Sequence, residues 1–243
     1  MKQFSEIDPA QLRERIQKDL FERLHWFKSH FDIVSHHDFG PNSARIYLGD
    51  KTKCVCRYCG LAAPQATFKK LAHAIPDQIG NNWLFDYEEC DNCNEHFAKK
   101  VEDDFAKWTL PWRSLGRIKG KTGIPSHKSN DKQFRIDAKK KLNENIADRN
   151  GAQYDLNIQM GIDDARHELN ESTQTVKFTL ERQPYVPMGA FKCLVKMAIA
   201  VMPPEEDRLC NHLKKWILLS DHTVESYPYK PLRICYGLMP GPL

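Results

Sequence analysis

Apolar residues recur every three or four positions along the first part of the chain. Asp8 stands at an N-cap position, Pro9 at the first helical position and Gln11 at the capping-box position. This pattern predicts a helix that runs from there to about Phe31 and packs one apolar stripe on a core. The stripe consists of Leu12, Ile16, Leu20, Leu24, Phe27 and Phe31.

Short strand-like runs and turns follow from His36, and a second helical pattern extends from about Asn94 to Trp108. Residues 111–150 then contain many Gly, Lys, Ser and Asn and show no hydrophobic period. They are predicted to form a long connection with one helix near 137–148. The apolar face of the second helix contains Phe97, Val101, Phe105 and Trp108.

The C-terminal part of the chain shows both the two-residue hydrophobic period of strands and the three-to-four-residue period of helices. Alternation of apolar and polar residues predicts half-buried strands at 154–160 and 176–180, which we expect to pair or to lie side by side. An apolar run between Pro187 and Pro203 predicts a buried helix. A further helix is predicted through Leu209, Leu213, Trp216 and Ile217, and a last strand at 232–238.

The composition excludes several classes of protein. The chain has 243 residues, of which 41% are hydrophobic and 28% charged, so it is neither wholly disordered nor too short for a core. The most apolar stretch, 186–202, carries Lys192 and Lys196, and no membrane-spanning helix is predicted. The N-terminus lacks the apolar run of a secretory signal, and we therefore expect a cytoplasmic protein.

The net charge of +4 is unevenly distributed. Residues 114–141 contain nine basic and two acidic residues, so this segment is more positive than the chain as a whole. Localised positive charge is typical of a segment that contacts a polyanion such as DNA, although a solvated linker explains it equally well. The lysines that we expect to contact nucleic acid are Lys119, Lys121, Lys139, Lys140 and Lys141.

Eight cysteines in a cytoplasmic chain point to metal binding or catalysis rather than to disulfide bonds. Four of them form two CxxC pairs, Cys56 with Cys59 and Cys90 with Cys93. Two such pairs supply four thiolates for a tetrahedral structural zinc ion, which leaves no open coordination position for hydrolysis. Two redox pairs would also explain the spacing, but a thioredoxin-like strand and helix are missing around both.

A second group of residues lies between and just after the cysteine pairs. His73 is followed closely by Pro76, a Gly-Asn-Asn turn comes at 80–82, and Asn94 stands directly after the last cysteine. In this order and spacing, the segment from about 54 to 108 resembles the zinc-knuckle branch of the HNH endonuclease family. The resemblance implies two antiparallel strands followed by a helix, arranged around one divalent cation.

The resemblance also implies a role for each of these residues. His73 would be the general base that takes a proton from the attacking water. Asn81 or Asn82 would hold the loop and orient His73, or form only a turn. Asn94 would bind the catalytic cation, Mg²⁺ or another divalent ion, through its side-chain oxygen, or cap the helix, or do both.

Position 72 departs from the family pattern. Many HNH enzymes carry Asp or His there as a second metal ligand, whereas this chain has Ala72. The missing ligand could come from His96, Asp91 or Glu102. We favour His96 because it is close to Asn94 in the sequence.

These observations predict an α+β fold that combines a zinc-bound ββα-metal (HNH) domain with further helices and strands. We expect an endonuclease that hydrolyses DNA with a divalent cation, in restriction or phage defence by analogy. The competing hypothesis is a catalytically inactive, zinc-stabilised module that binds nucleic acid or a partner protein. The C-terminal domain would recognise a target, a partner or a second copy in a homodimer. The predicted parts are a helical segment at 1–35, the HNH domain at 36–110, a basic linker at 111–150 and an α+β domain at 151–243.

Overall fold

The computed structural model describes residues 9–32, 36–37, 43–140, 154–161, 167–170, 172–173 and 175–226. Within these ranges helices and short strands are mixed, which confirms the α+β class. The helices are α1 (Pro9–His30), α2 (Asp91–Lys100), α3 (Glu102–Leu115), α4 (Pro187–Val201), α5 (Pro204–Asp207) and α6 (Asn211–Ile217). The strands are β1 (Ile46–Leu48), β2 (Ala72–His73), β3 (Leu84–Asp86), β4 (His127–Lys128), β5 (Arg135–Lys140), β6 (Tyr154–Gln159), β7 (His167–Asn170) and β8 (Thr175–Phe178).

The chain divides into two compact units, and the smaller one contains α1 and the antiparallel pair of β7 and β8. The predicted first helix is confirmed, because α1 ends one residue before Phe31. Of its predicted apolar stripe, the described side chain is that of Phe31, which is exposed. The other five stripe side chains lie outside the described residues.

The larger unit contains two three-stranded sheets together with α2 to α6. In the first sheet, β3 lies between β1, which runs parallel to it, and β2, which runs antiparallel. In the second sheet, β5 lies between β4 and β6 and is antiparallel to both. Along the chain, β2, β3 and α2 follow one another, which is the element order that the HNH resemblance implies.

Two expectations for the C-terminal half are wrong. Strands do form at β6 and β8, but β6 pairs with β5 and β8 pairs with β7 instead of with each other. The helix predicted near 137–148 is a strand as far as residue 140, and the rest of it lies outside the described residues, as does the strand predicted at 232–238. Phe134 and Ile136 are both buried on one face, which is the two-residue period of a strand. The sequence pattern did not reveal it because lysines follow directly.

One hydrophobic core joins the cysteine pairs to α2, α3, α4 and α6. The helix predicted between Pro187 and Pro203 is confirmed as α4, and its apolar side packs against the same core as the cysteines. This packing crosses the boundaries predicted at 110 and 150. The large buried members of the core include Tyr58, Phe97, Val101, Phe105, Val195, Ile199, Trp216 and Ile217.

The helix predicted from about Asn94 to Trp108 is two helices. Cys90 is the N-cap residue of α2, and Val101 separates α2 from α3 with φ −128° and ψ −50°. Three acidic residues in the first turn of α3, 102–104, favour a new helix N-terminus at this point. Asn94 therefore lies within the first turn of α2, and the expectation that it caps the helix is wrong.

The two residues between the cysteines of the first pair bind the backbone of α4. Arg57 Nη1 donates hydrogen bonds to the carbonyl oxygens of Ile199 (2.8 Å) and Ala200 (2.7 Å). Tyr58 Oη donates to the carbonyl of Lys196 at 3.3 Å. The last carbonyls of a helix have no partner within it, so Arg57 satisfies groups that would otherwise be buried without a donor.

Lys196 brings a buried positive charge into the same core. Its ammonium group is 3.1 Å from a carboxylate oxygen of Glu89 and 3.5 Å from one of Glu102. The same group donates to the carbonyl oxygen of His73 at 2.8 Å. Burial raises the pKa of Glu89 to about 7, and although burial opposes its charge, Lys196 has a raised pKa because the two carboxylates stabilise the ammonium form.

We expect Lys196→Met to destabilise the protein by about 3–5 kcal/mol, because it leaves the carboxylate of Glu89 buried without a counter-ion. Lys99→Met is the matched control, since Lys99 pairs with Glu95 on the exposed face of α2. Exposed pairs of this kind contribute at most about 0.5 kcal/mol. Urea unfolding of both variants measures the difference, and equal losses of stability would contradict the assigned role of Lys196.

Candidate metal centre and candidate active site

The four cysteine sulfurs of the two CxxC pairs converge on one point. All lie within 4.8 Å of one another, with 3.7 Å between Cys56 and Cys93 and 3.8 Å between Cys59 and Cys90. A tetrahedron with zinc–sulfur bonds of about 2.3 Å has sulfur–sulfur edges of about 3.8 Å. The donor set and its spacing therefore fit a structural zinc ion.

Each cysteine pair is closed by the same backbone hydrogen bond. The amide of Gly60 donates to the carbonyl of Cys56, and the amide of Asn94 donates to the carbonyl of Cys90, both at 2.9 Å. Gly60 has φ +73°, a left-handed conformation that glycine adopts without strain. These turns aim two sulfurs of each pair at one point, so the local sequence builds the metal centre.

The cysteines differ in how readily they lose a proton. A hydrogen bond with Cys93 lowers the pKa of Cys56 to about 4, while burial raises the pKa of Cys90 to about 11. A metal binds thiolates, so its binding must displace protons from the sulfurs that hold them.

His73 lies on β2 opposite Phe85 of β3, and the two rings are 4.7 Å apart. Its side chain is half-buried, and Nδ1 is buried without a hydrogen-bond partner among the described residues. Burial lowers the pKa of His73, whereas the carboxylate of Asp77 opposes this effect. The imidazole is therefore neutral near pH 7 and can accept a proton.

The two asparagines that follow His73 have different positions. Asn81 is buried, and its Nδ2 donates to the carbonyls of Ile75 (2.6 Å) and Leu84 (2.8 Å). Its Oδ1 accepts from the amide of Leu84 at 2.9 Å, so one side chain fastens both ends of the loop that follows His73. Asn82 is exposed, and within the described ranges its side chain donates to the carbonyl of Gly80, at 3.3 Å.

His73 opens into a cleft of about 1380 Å³ that Asn82, Asn94 and Glu102 also line. The side-chain amide of Asn94 makes no hydrogen bond within the described part of the chain, so its oxygen is available to a ligand. The rim of the cleft is positively charged, which suits a polyanionic ligand. The basic residues of this rim are Arg45, Lys70, Arg117, Lys119 and Lys121.

The structure does not bring His96 to this cleft. His96 packs against Phe97 and forms a hydrogen bond with the backbone of Ile217, while burial lowers its pKa. Residues two apart on a helix point to different sides, so Asn94 and His96 cannot face one ligand. Glu102, which the sequence also suggested as a metal ligand, does line the cleft.

Asp91 and position 72 supply no ligand to the cleft. The carboxylate of Asp91 accepts hydrogen bonds from Thr67 Oγ1 and from the amides of Lys69 and Lys70. Ala72 is fully buried on the opposite face of β2 from His73. Amide and carboxylate oxygens are the hard donors that Mg²⁺ prefers, and Asn94 and Glu102 both line the cleft, where one oxygen of Glu102 also pairs with Lys196.

The basic residues predicted to contact nucleic acid separate into two groups. Lys119 and Lys121 lie on the rim of the cleft. Lys139 is exposed on β5, opposite Asp155 of β6, and does not line the cleft. The side chain of Lys140 and all of Lys141 lie outside the described residues.

Sequence reasoning missed several residues of the site, and three of them show which signals the sequence did and did not contain. Asp77 could have been recognised as a site residue, because it directly follows Pro76 in the same short motif as His73. Lys196 also carried a signal, as a charge inside an apolar helix is buried with a partner. Arg45 carried none, because its place at the cleft depends on the pairing of β1 with β3.

The four-cysteine centre lies close in the chain to β2, which carries His73, and to α2. This arrangement corresponds to one class of nuclease domain. Residues 56–110 match the family model described as HNH endonuclease, which confirms the resemblance predicted for about 54–108 and supports nuclease activity in general. Among curated proteins and among solved structures, nothing matches the chain. In the described residues, no helix has the length and apolar character needed to cross a membrane.

We expect the purified protein to contain one equivalent of zinc, and Cys90→Ala to reduce this below half an equivalent and to unfold the larger unit. Because Arg57 and Tyr58 hold α4, chelation should also expose the amides of 187–201 to hydrogen exchange. Elemental analysis and hydrogen exchange are the measurements. Cys210→Ala, outside the metal centre, is the control and should keep its zinc. A folded Cys90→Ala variant with bound zinc would refute the assignment.

Proposed function

We propose that this protein is an HNH endonuclease that hydrolyses DNA phosphodiester bonds, with His73 as the general base. The observation that carries the proposal is a neutral, half-buried imidazole at the wall of an open cleft with a basic rim, which the side-chain amide of Asn94 also lines. The match of residues 56–110 to HNH endonucleases supports it. By analogy, we propose that this activity serves restriction or phage defence in the cytoplasm.

Several residues would prepare His73 for this role. The ring of Phe85 and the hydrogen bond from Lys196 fix the position of the strand that carries it. Asn81 would hold the loop after it, which keeps the imidazole in one orientation. A neutral imidazole then takes a proton from the water that attacks the phosphorus.

A divalent cation is the second component that we propose. Asn94 and Glu102 would hold it, in place of the His96 that the sequence favoured. Such a cation stabilises negative charge on the phosphate and on the leaving oxygen. Lys119, Lys121 and Arg117 would bind the neighbouring phosphates and keep the scissile bond at His73.

A second candidate function is a zinc-stabilised module that binds nucleic acid or a partner without cutting. The buried Ala72 favours it, because that position lacks the ligand that many HNH enzymes carry. The two functions share the zinc ion and the basic cleft, and they differ in metal-dependent cleavage. A homodimer or a partner bound through the C-terminal segment is compatible with both.

We expect His73→Ala to reduce the rate of plasmid nicking by about 10² to 10⁴, the usual range for a general base. His96→Ala should cut near the wild-type rate, because His96 lies outside the cleft. Reactions with Mg²⁺, with Mn²⁺ and with EDTA, together with melting temperatures of the same preparations, are the measurements. No metal-dependent nicking by the wild type would favour the binding module, and a stable, fully active His73→Ala variant would remove His73 from the mechanism.

The pH profile of cleavage gives an independent check. Protonated His73 cannot act as a base, so kcat/KM should fall as the pH drops through its pKa, and burial places that midpoint below the ordinary value of 6.5. Asp77→Asn removes a charge that favours the protonated form, and the midpoint should then move to lower pH. An acid limb above pH 6.5, or a shift in the other direction, would contradict this assignment.

A further inference from the structure

Four aromatic rings form a continuous row on one face of the first sheet, beginning at the candidate base. The ring centroids are 4.7 Å apart between His73 and Phe85, 5.6 Å between Phe85 and Tyr47, and 5.1 Å between Tyr47 and Tyr87. The planes of Tyr47 and Tyr87 differ by only 9°. We call these four residues the aromatic row. It leads from the cleft out along the sheet.

Two cations lie on the aromatic row. The guanidinium of Arg45 is 5.4 Å from the ring centre of Phe85, and the ammonium of Lys51 is 5.7 Å from that of Tyr87. Both side chains are exposed, and neither has a carboxylate partner in the described ranges. Positive charge on an aromatic surface attracts phosphates, so the row has a charge complementary to a nucleic acid backbone.

The rings of the aromatic row differ in exposure: Phe85 is buried, at 6%, and Tyr87 is half-buried. The apolar residues Ile46, Leu48 and Leu84 lie on the other side of the same sheet and pack with Ala74 and the end of α4. Tyr47, by contrast, is 40% exposed although it stands in the middle of the row. An exposed aromatic with unpaired cations beside it is the composition of a surface that stacks nucleobases.

We propose that the aromatic row binds unpaired nucleotides next to the bond that His73 cuts, so that the preferred substrate contains single-stranded nucleic acid. The proposal rests on the proposed nuclease function for the position of the cut. Bases in a duplex are stacked on one another and present no free face to an aromatic ring, whereas unpaired bases do. A protein that gripped duplex backbone alone would need the cations and not the rings.

The test is binding at fixed salt and without added divalent cation, so that nothing is cleaved. The probes are a labelled 20-nucleotide single strand of mixed sequence and the duplex of the same sequence. Tyr47→Leu keeps an apolar side chain and removes the ring, and it should weaken single-strand binding about tenfold while leaving duplex binding unchanged. Tyr47→Phe should bind both probes like the wild type.

Two further variants keep the test decisive. Phe21→Leu removes an exposed aromatic of α1 that does not line the cleft, and it should change neither affinity. Lys51 is exposed, and the Lys51→Gln variant should therefore fold whether or not Tyr47→Leu does. It should lower the salt dependence of single-strand binding by about 0.7 in the log–log slope, with no change for the duplex.

Equal losses for both probes, or no loss for either, would overturn the proposal. These outcomes are distinct from failure of the nuclease, because binding is measured without cleavage. A protein that never nicks plasmid but prefers single strands through Tyr47 would refute the proposed activity and retain the aromatic row.

Discussion

The buried ammonium group of Lys196 is the interaction on which the arrangement of the larger unit depends. It comes from α4, yet its partners are the carboxylates of Glu89 and Glu102 and the carbonyl of His73. A charge in this position is tolerated only when every partner stays in place, since an unpaired buried charge costs several kcal/mol. The requirement therefore fixes the candidate base, the four-cysteine centre and α4 relative to one another.

The candidate metal centre and α4 support each other through the same segment of chain. The two residues between Cys56 and Cys59 both bind α4 backbone, and Arg57 satisfies carbonyls that the helix cannot satisfy itself. A metal ion held by the four cysteines would therefore order more than its own loop. An isolated piece that ended at residue 110 would lose the helix that closes this core, so the matched segment and the C-terminal helices are best treated as one folding unit.

The candidate site divides its tasks between a strand and the segments outside the sheet. His73 sits on β2, which pairs with β3 and is held by the hydrogen bond from Lys196, whereas the basic rim comes from the chain after α3 and from Arg45 and Lys70. A base must be held in one geometry to act, but phosphate contacts only position a substrate and tolerate movement. The aromatic row belongs with the base in this division, because it lies on the same sheet as His73.

The sequence by itself determined the features that short spacing encodes. The two CxxC pairs, the order of His73, the Gly-Asn turn and Asn94, and the first and fourth helices could all be predicted, because each depends on residues near one another in the chain. Tertiary structure alone decided the rest. It moved His96 away from the cleft, paired β6 with β5 and placed Lys196 beneath His73. These outcomes depend on contacts between residues far apart in sequence, and a hydrophobic period cannot specify which surface a helix will meet.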